Sequence, residues 1–241
     1  MTALLRYQAA ILLRSHRWIF PLIAYGLLVA VGNEGSSPLA SGLNWSAAML
    51  VPVVALLTRS MVTAEPDAAR AVAAAAAGPA RLQLAALVAA LGGGAILAVI
   101  GAAYEVLASQ SVALDPAQGT LGKVTAVMGH PSVLVAGLVT AVVCLLVGSA
   151  AGALCNPPLL RHPGVTLLST LAVVVVALVA NISPAAAALR YTGPGTGVAA
   201  QAQPHWPGIA PMVAAACVLA ITWTASALVA ARRDSRTPEA T

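Results

Sequence analysis

Long apolar runs separated by short polar breaks fill most of this chain. Six runs stand out, at about 18–32, 39–58, 82–104, 132–154, 165–182 and 209–231. A membrane-crossing helix needs about 20 apolar residues, within a range of roughly 17–25. Each run therefore reads as a transmembrane helix. The first is short and needs flanking residues or local thinning of the bilayer. Pro52 puts a kink in the second. The fold class expected is an all-α membrane protein with six transmembrane helices over residues 18–231, followed by a cytoplasmic tail at 232–241.

Residues 1–17 have a different pattern. At 100° per residue, Arg6, Arg14 and Arg17 share one narrow sector, with Leu4, Leu5, Ile11 and Leu12 roughly opposite. Gln8 interrupts the apolar side. Such a helix either lies in the membrane interface with its arginines toward anionic lipid, which is the reading expected here, or extends the first span inward.

The stretch from Arg59 to Arg81 separates the second and third runs. Glu65-Pro66-Asp67 is a helix start, because proline fits a first turn and acids there oppose the helix dipole. The Ala-rich run that follows is strongly helical. Gly78 suits a left-handed cap, and Pro79 can open the next helix. Arg70 follows Pro66 by four residues and Asp67 by three, which groups charge of both signs on one helical side. A short cytoplasmic helix with sharp ends is expected here.

Charge sets the orientation. Ten of the twelve Lys and Arg residues fall before run one, between runs two and three, between runs four and five, or after run six. Lys123 and Arg190 alone fall on the other side. The positive-inside rule then places both termini in the cytoplasm. Hydrophobic residues make up 60% of the chain and charged residues 8%, with a mean hydropathy of +0.91. A soluble domain carries about 25% charged residues, so a multi-pass protein of the plasma membrane is expected. The net charge of +5 is topological and does not imply a nucleic-acid partner. No cleavable signal peptide is expected, since no A-x-A site follows run one. The outer segments, Glu105–Pro131 and Ser183–Gly208, are longer. Within the second, Pro184–Tyr191 reads as a short helix that either dips back toward the bilayer or forms an exposed turn.

Little catalytic chemistry is present. Cys144, Cys155 and Cys217 are scattered, as are the four histidines, so no metal site is expected. Gly119–Lys123 lacks the spacing of a phosphate-binding loop and has Val124 where Ser or Thr is required. The chain is thus not expected to be an enzyme or to bind a cofactor. Acids and bases are missing from the interiors of the six runs, which argues against an ion-driven carrier. Glu105, at the outer end of run three, is expected to be solvated. Gly92, Gly93, Gly94, Gly101, Gly148 and Gly152 allow close helix approach, for packing within the chain or at a moving subunit interface.

These features together resemble the permease subunits of ABC exporters that pair a six-span membrane subunit with a separate ATPase. The basic N-terminal helix, the six spans and the helix between spans two and three carry the likeness. Glu65-Pro66-Asp67-Ala68-Ala69-Arg70 followed by Ala77-Gly78-Pro79-Ala80-Arg81 is similar to that family's coupling stretch. The Ala-rich style looks actinobacterial. The resemblance implies a working unit of two permease chains, identical or different, with two cytoplasmic ATP-binding cassette ATPases. ATP and Mg would be bound by the partner ATPase. Glu65, Asp67, Arg70 and Arg81 would contact it, with Pro66, Gly78 and Pro79 fixing the helix ends. The alternative is a polytopic membrane scaffold, anchor or regulatory protein without transport activity.

Overall fold

The computed structural model describes residues 2–16, 18–32, 39–108, 131–155, 163–192 and 209–234. Arg17, Lys123, Arg161, Arg236 and the segments 109–130 and 193–208 lie outside the described residues. Every regular element among those described is helical. In chain order they are α1 (Thr2–Ser15), α2 (Ile19–Gly32), α3 (Leu39–Val62), α4 (Asp67–Ala77), α5 (Pro79–Ala108), α6 (Pro131–Leu154), α7 (Pro163–Val179), α8 (Pro184–Thr192) and α9 (Ala210–Asp234).

All six apolar runs are helical, but their lengths differ from the sequence expectation. α3 extends to Val62, four residues past the expected end, and α5 runs from Pro79 to Ala108 rather than from 82 to 104. Polar and small residues at these ends continue the helical hydrogen-bonding pattern after the apolar run stops. Four helices (α3, α5, α6 and α9) are each long and apolar enough to cross a membrane, and a fifth crossing results if the bent pair α7–α8 counts as one. α2 is apolar but only 14 residues long. The count of six expected from the pattern therefore reduces to four or five by length and composition.

α3 is the centre of the bundle and packs chiefly on α6 and α5. Glycines make the α3–α6 contact close. A Cβ on Gly148 would lie 2.8 Å from the Val51 carbonyl oxygen, and one on Gly152 would lie 2.8 Å from the Ala55 carbonyl oxygen. Gly94 is filled by Leu145 and Val54, Gly93 faces Leu57, and Gly101 faces the Tyr25 ring. Gly92 alone of the six meets nothing nearby. Five of the six glycines thus serve packing within this chain.

α2 is held to α3 by two directed bonds. Trp45 Nε1 donates to the Leu28 carbonyl at 2.9 Å, and the Tyr25 hydroxyl donates to the Ser46 carbonyl at 3.3 Å. Pro52 lies inside α3, where its missing N–H interrupts the ladder. α7 and α8 meet at a 43° bend. α8 is not an exposed turn: Ala185, Ala186 and Ala188 are buried, and α8 packs on α6, α9, α3 and α7. Its alanines permit that closeness. Arg190 spans the bend, donating to Asn181 Oδ1 at 2.6 Å.

Glu105 departs from expectation. It is only 1% exposed rather than solvated. Gly42 on α3 has no side chain, and the Glu105 carboxylate lies where a Cβ would otherwise be. Leu39, Leu43, Ala102, Val106, Val133 and Leu134 form an apolar cluster at the same level.

Candidate functional site

α4 is set by its two ends. Pro66 caps the N-terminus in an extended conformation, and its carbonyl accepts from the Arg70 N–H at 2.9 Å. Gly78 ends the helix with φ 86° and ψ 139°. This is a positive-φ extended conformation, close to glycine-only territory, rather than the left-handed helical cap expected. Its N–H still bonds the Ala74 carbonyl at 2.8 Å, while its own carbonyl accepts from the Leu82 N–H at 3.1 Å. One glycine therefore closes α4 and caps α5, so the two helices meet without slack.

Arg70 fixes α4 to its neighbours. Its Nη1 donates to the Val62 carbonyl at 2.8 Å, and its Nη2 donates to Gln83 Oε1 at 2.6 Å. Val62 is the last residue of α3, where a helix leaves carbonyls without intrahelical donors. Gln83, in the first turns of α5, is buried, and its Nε2 donates to Ser226 Oγ on α9 at 3.1 Å. A polar chain thus runs from α4 through α5 to α9, with a branch to α3. Beside it, Val62, Leu87, Ala153 and Trp223 form an apolar cluster from α3, α5, α6 and α9.

The N-terminal helix joins the same corner. The Glu65 carboxylate lies against the Tyr7 hydroxyl on α1, and that hydrogen bond, with desolvation and the carboxylate charge, holds Tyr7 above its ordinary value of 10. Gln8, which interrupts the apolar side of α1, is only 2% exposed. It lies within the inward-facing series Leu4, Leu5, Gln8, Ile11, Leu12 and Ser15, whose spacing is that of one helical face. Arg6 and Arg14 are on the exposed side.

The residues singled out for partner contact do not all share one exposed patch. Arg70 is turned inward and Glu65 is half-buried, whereas Arg81 is exposed. Asp67 is the first residue of α4. The exposed surface of α4 is apolar: Ala68, Ala71, Val72, Ala75 and Ala76, with Val72 72% exposed. Sequence reasoning missed Gln83, Ser226, Tyr7 and Val72. Gln83 could have been found as a lone amide at the start of an apolar run, because polar side chains there seek partners on other helices.

No group of His, Cys, Asp and Glu able to hold a metal occurs among the described residues. Arg70 thus bonds α4 directly to α3 and α5, and Gln83 carries the connection on to α9.

No protein-family model, curated protein or solved structure matches this chain. The described residues are all-helical in their regular structure, with several segments long and apolar enough to span a membrane.

Proposed function

We propose that this chain is the membrane-spanning permease subunit of an ATP-binding cassette transporter, an exporter of the plasma membrane driven by a separate cytoplasmic ATPase. One observation carries the reading: α4 presents an apolar face outward while Arg70 and Gln83 bond it to α3, α5 and α9. An exposed valine on a helix held this firmly suits a partner surface, and Arg81 nearby supplies a charge for a polar rim. In this reading α2, α3, α5, α6, the bent pair α7–α8 and α9 are the six crossings, and both termini are cytoplasmic. A second permease chain completes the conduit, and the ATPase binds ATP and Mg. Closure of the ATPase pair pushes α4, and the push passes into α3, α5 and α9.

In this reading Arg70 and Glu65 position the helix, and Val72, Ala75 and Arg81 meet the ATPase. The test is affinity purification of the tagged chain from its native membrane. A cassette ATPase should co-purify, and Val72→Glu should reduce its recovery at least fivefold with unchanged membrane abundance of the chain. Equal recovery from the wild type and Val72→Glu, or no ATPase with either, would refute the reading.

A further inference from the structure

α1 and α4 both pack on α5. The inward side of α1 includes Gln8, only 2% exposed, and Leu12, which shares a cavity with Gly93 and Leu97 of α5. The opposite side carries Arg6, Ala10 and Arg14, all exposed. At 100° per residue the two arginines stand about 80° apart with Ala10 between them, so they form one basic strip. The Ile19 N–H bonds the His16 carbonyl at 3.1 Å, so the apolar helix α2 follows α1 after a single tight turn. When α2 enters a bilayer, that turn holds α1 at the level of the headgroups. Guanidinium groups there meet phosphates through charge-assisted bonds.

The residue beside this strip reaches the start of α4. Tyr7 follows Arg6 in the chain, and its hydroxyl bonds the Glu65 carboxylate. Glu65 lies two residues before the first residue of α4. Its Oε1 is buried without a partner among the described residues, so loss of the phenol leaves the carboxylate under-bonded. α4 itself begins with no side-chain cap, because Pro66 offers none. Its start is therefore held from outside the helix. Tyr7 holds it at Glu65, and the Thr63 and Ala64 amides hold it to the Arg59 and Met61 carbonyls at the end of α3.

We propose that α1 senses the charge of the bilayer surface and reports it to α4. Anionic headgroups gather on Arg6 and Arg14 and keep α1 seated on α5. Through Tyr7 and Glu65 the seated helix orders the turn from which α4 starts. This rests on α2 entering a bilayer and is independent of any ATPase partner.

The test is amide hydrogen exchange, read by mass spectrometry, on the full chain in phosphatidylcholine vesicles with and without phosphatidylglycerol. One arginine near an anionic surface changes its binding by about fivefold. Phosphatidylglycerol should therefore slow exchange at least threefold in residues 2–15 and in residues 63–73. Residues 131–154 should not change, which separates the response from a general effect of lipid on the bundle. Arg6→Gln combined with Arg14→Gln should abolish the slowing in both segments. Tyr7→Phe should keep it in residues 2–15 and lose it in residues 63–73. Exchange in residues 63–73 that ignores phosphatidylglycerol, or that still slows in Tyr7→Phe, overturns the proposal. Inorganic phosphate added to phosphatidylcholine vesicles should have no effect. An equal slowing by phosphate would place the anion in solution and overturn the lipid assignment. If Tyr7→Phe disturbs residues 131–154, Glu65→Gln takes its place. It should at least halve the response of residues 63–73, and an unchanged response overturns the proposal.

Discussion

Gln83 Nε2 donates to Ser226 Oγ at 3.1 Å, joining the start of α5 to α9 across 143 residues of sequence. Gln83 accepts from Arg70 through its other amide atom, so α4 is tied to α9 by way of α5.

Arg70→Ala removes both guanidinium bonds and leaves the buried Gln83 oxygen without its donor. A hydrogen bond to a charged group contributes about 1.5–3 kcal/mol, and partial exposure of Arg70 places the loss toward the lower end. Amide exchange in residues 67–77 should become roughly tenfold faster, since about 1.4 kcal/mol corresponds to tenfold. Arg70→Lys should not restore it, because an ammonium lacks the fork that reaches two acceptors. Exchange unchanged from the wild type in Arg70→Ala would show that the helix is held by its ends alone.

The glycines on α6 give a sharper contrast. At Gly148 and Gly152 an added Cβ meets backbone oxygen, which cannot rotate away. Alanine at either should cost about 1–3 kcal/mol through overpacking and lower the thermal unfolding temperature in detergent. Gly92→Ala, with open space around it, should leave that temperature unchanged or raise it slightly. Equal effects at Gly92 and Gly148 would contradict the close α3–α6 contact.

Much of this fold was legible because bilayer physics writes itself in long apolar runs. Each of the six runs is a helix, and Pro66, Gly78 and Pro79 mark the ends of α4 and the start of α5 where expected. What was not legible depends on tertiary partners. Spacing put Arg70 on a charged face, but its long side chain reaches back to the Val62 carbonyl instead. Glu105 sits where a helix exits the apolar run, and only the position of Gly42 on another helix explains its burial. The Ala-rich composition of α8 fitted both a buried and an exposed segment, and packing against α6 and α9 decided between them.

The burial of Glu105 is open to a chemical check. In a chain with Cys144, Cys155 and Cys217 replaced, Glu105→Cys should resist a membrane-impermeant maleimide in intact membranes. It should react fully after denaturation. Rapid labelling in the intact membrane would return this residue to the solvated position that its place in the sequence suggested.

Tyr7 and Glu65 test the seating of α1. The fold holds the neutral phenol of Tyr7 by bonding it to Glu65, so its pKa lies above the unfolded value of 10. That contribution to stability is fully present below pH 10 and is lost as pH rises through the raised value. Tyrosinate absorbance, taken as the difference from Tyr7→Phe, should show titration above 10. Glu65→Gln should bring it back toward 10, because the carboxylate charge and the strong acceptor are both removed. A midpoint at 10 in the wild type would mean that α1 is not seated against the loop preceding α4.

The central claim is that the exposed face of α4 meets a cytoplasmic cassette ATPase. The most direct measurement places a photo-crosslinking amino acid at Val72 and irradiates native membranes. The account predicts one major adduct, containing an ATP-binding cassette ATPase, that is absent when the probe is at Gly92. An adduct at Val72 that contains only lipid or another copy of this chain, with no ATPase, would contradict it.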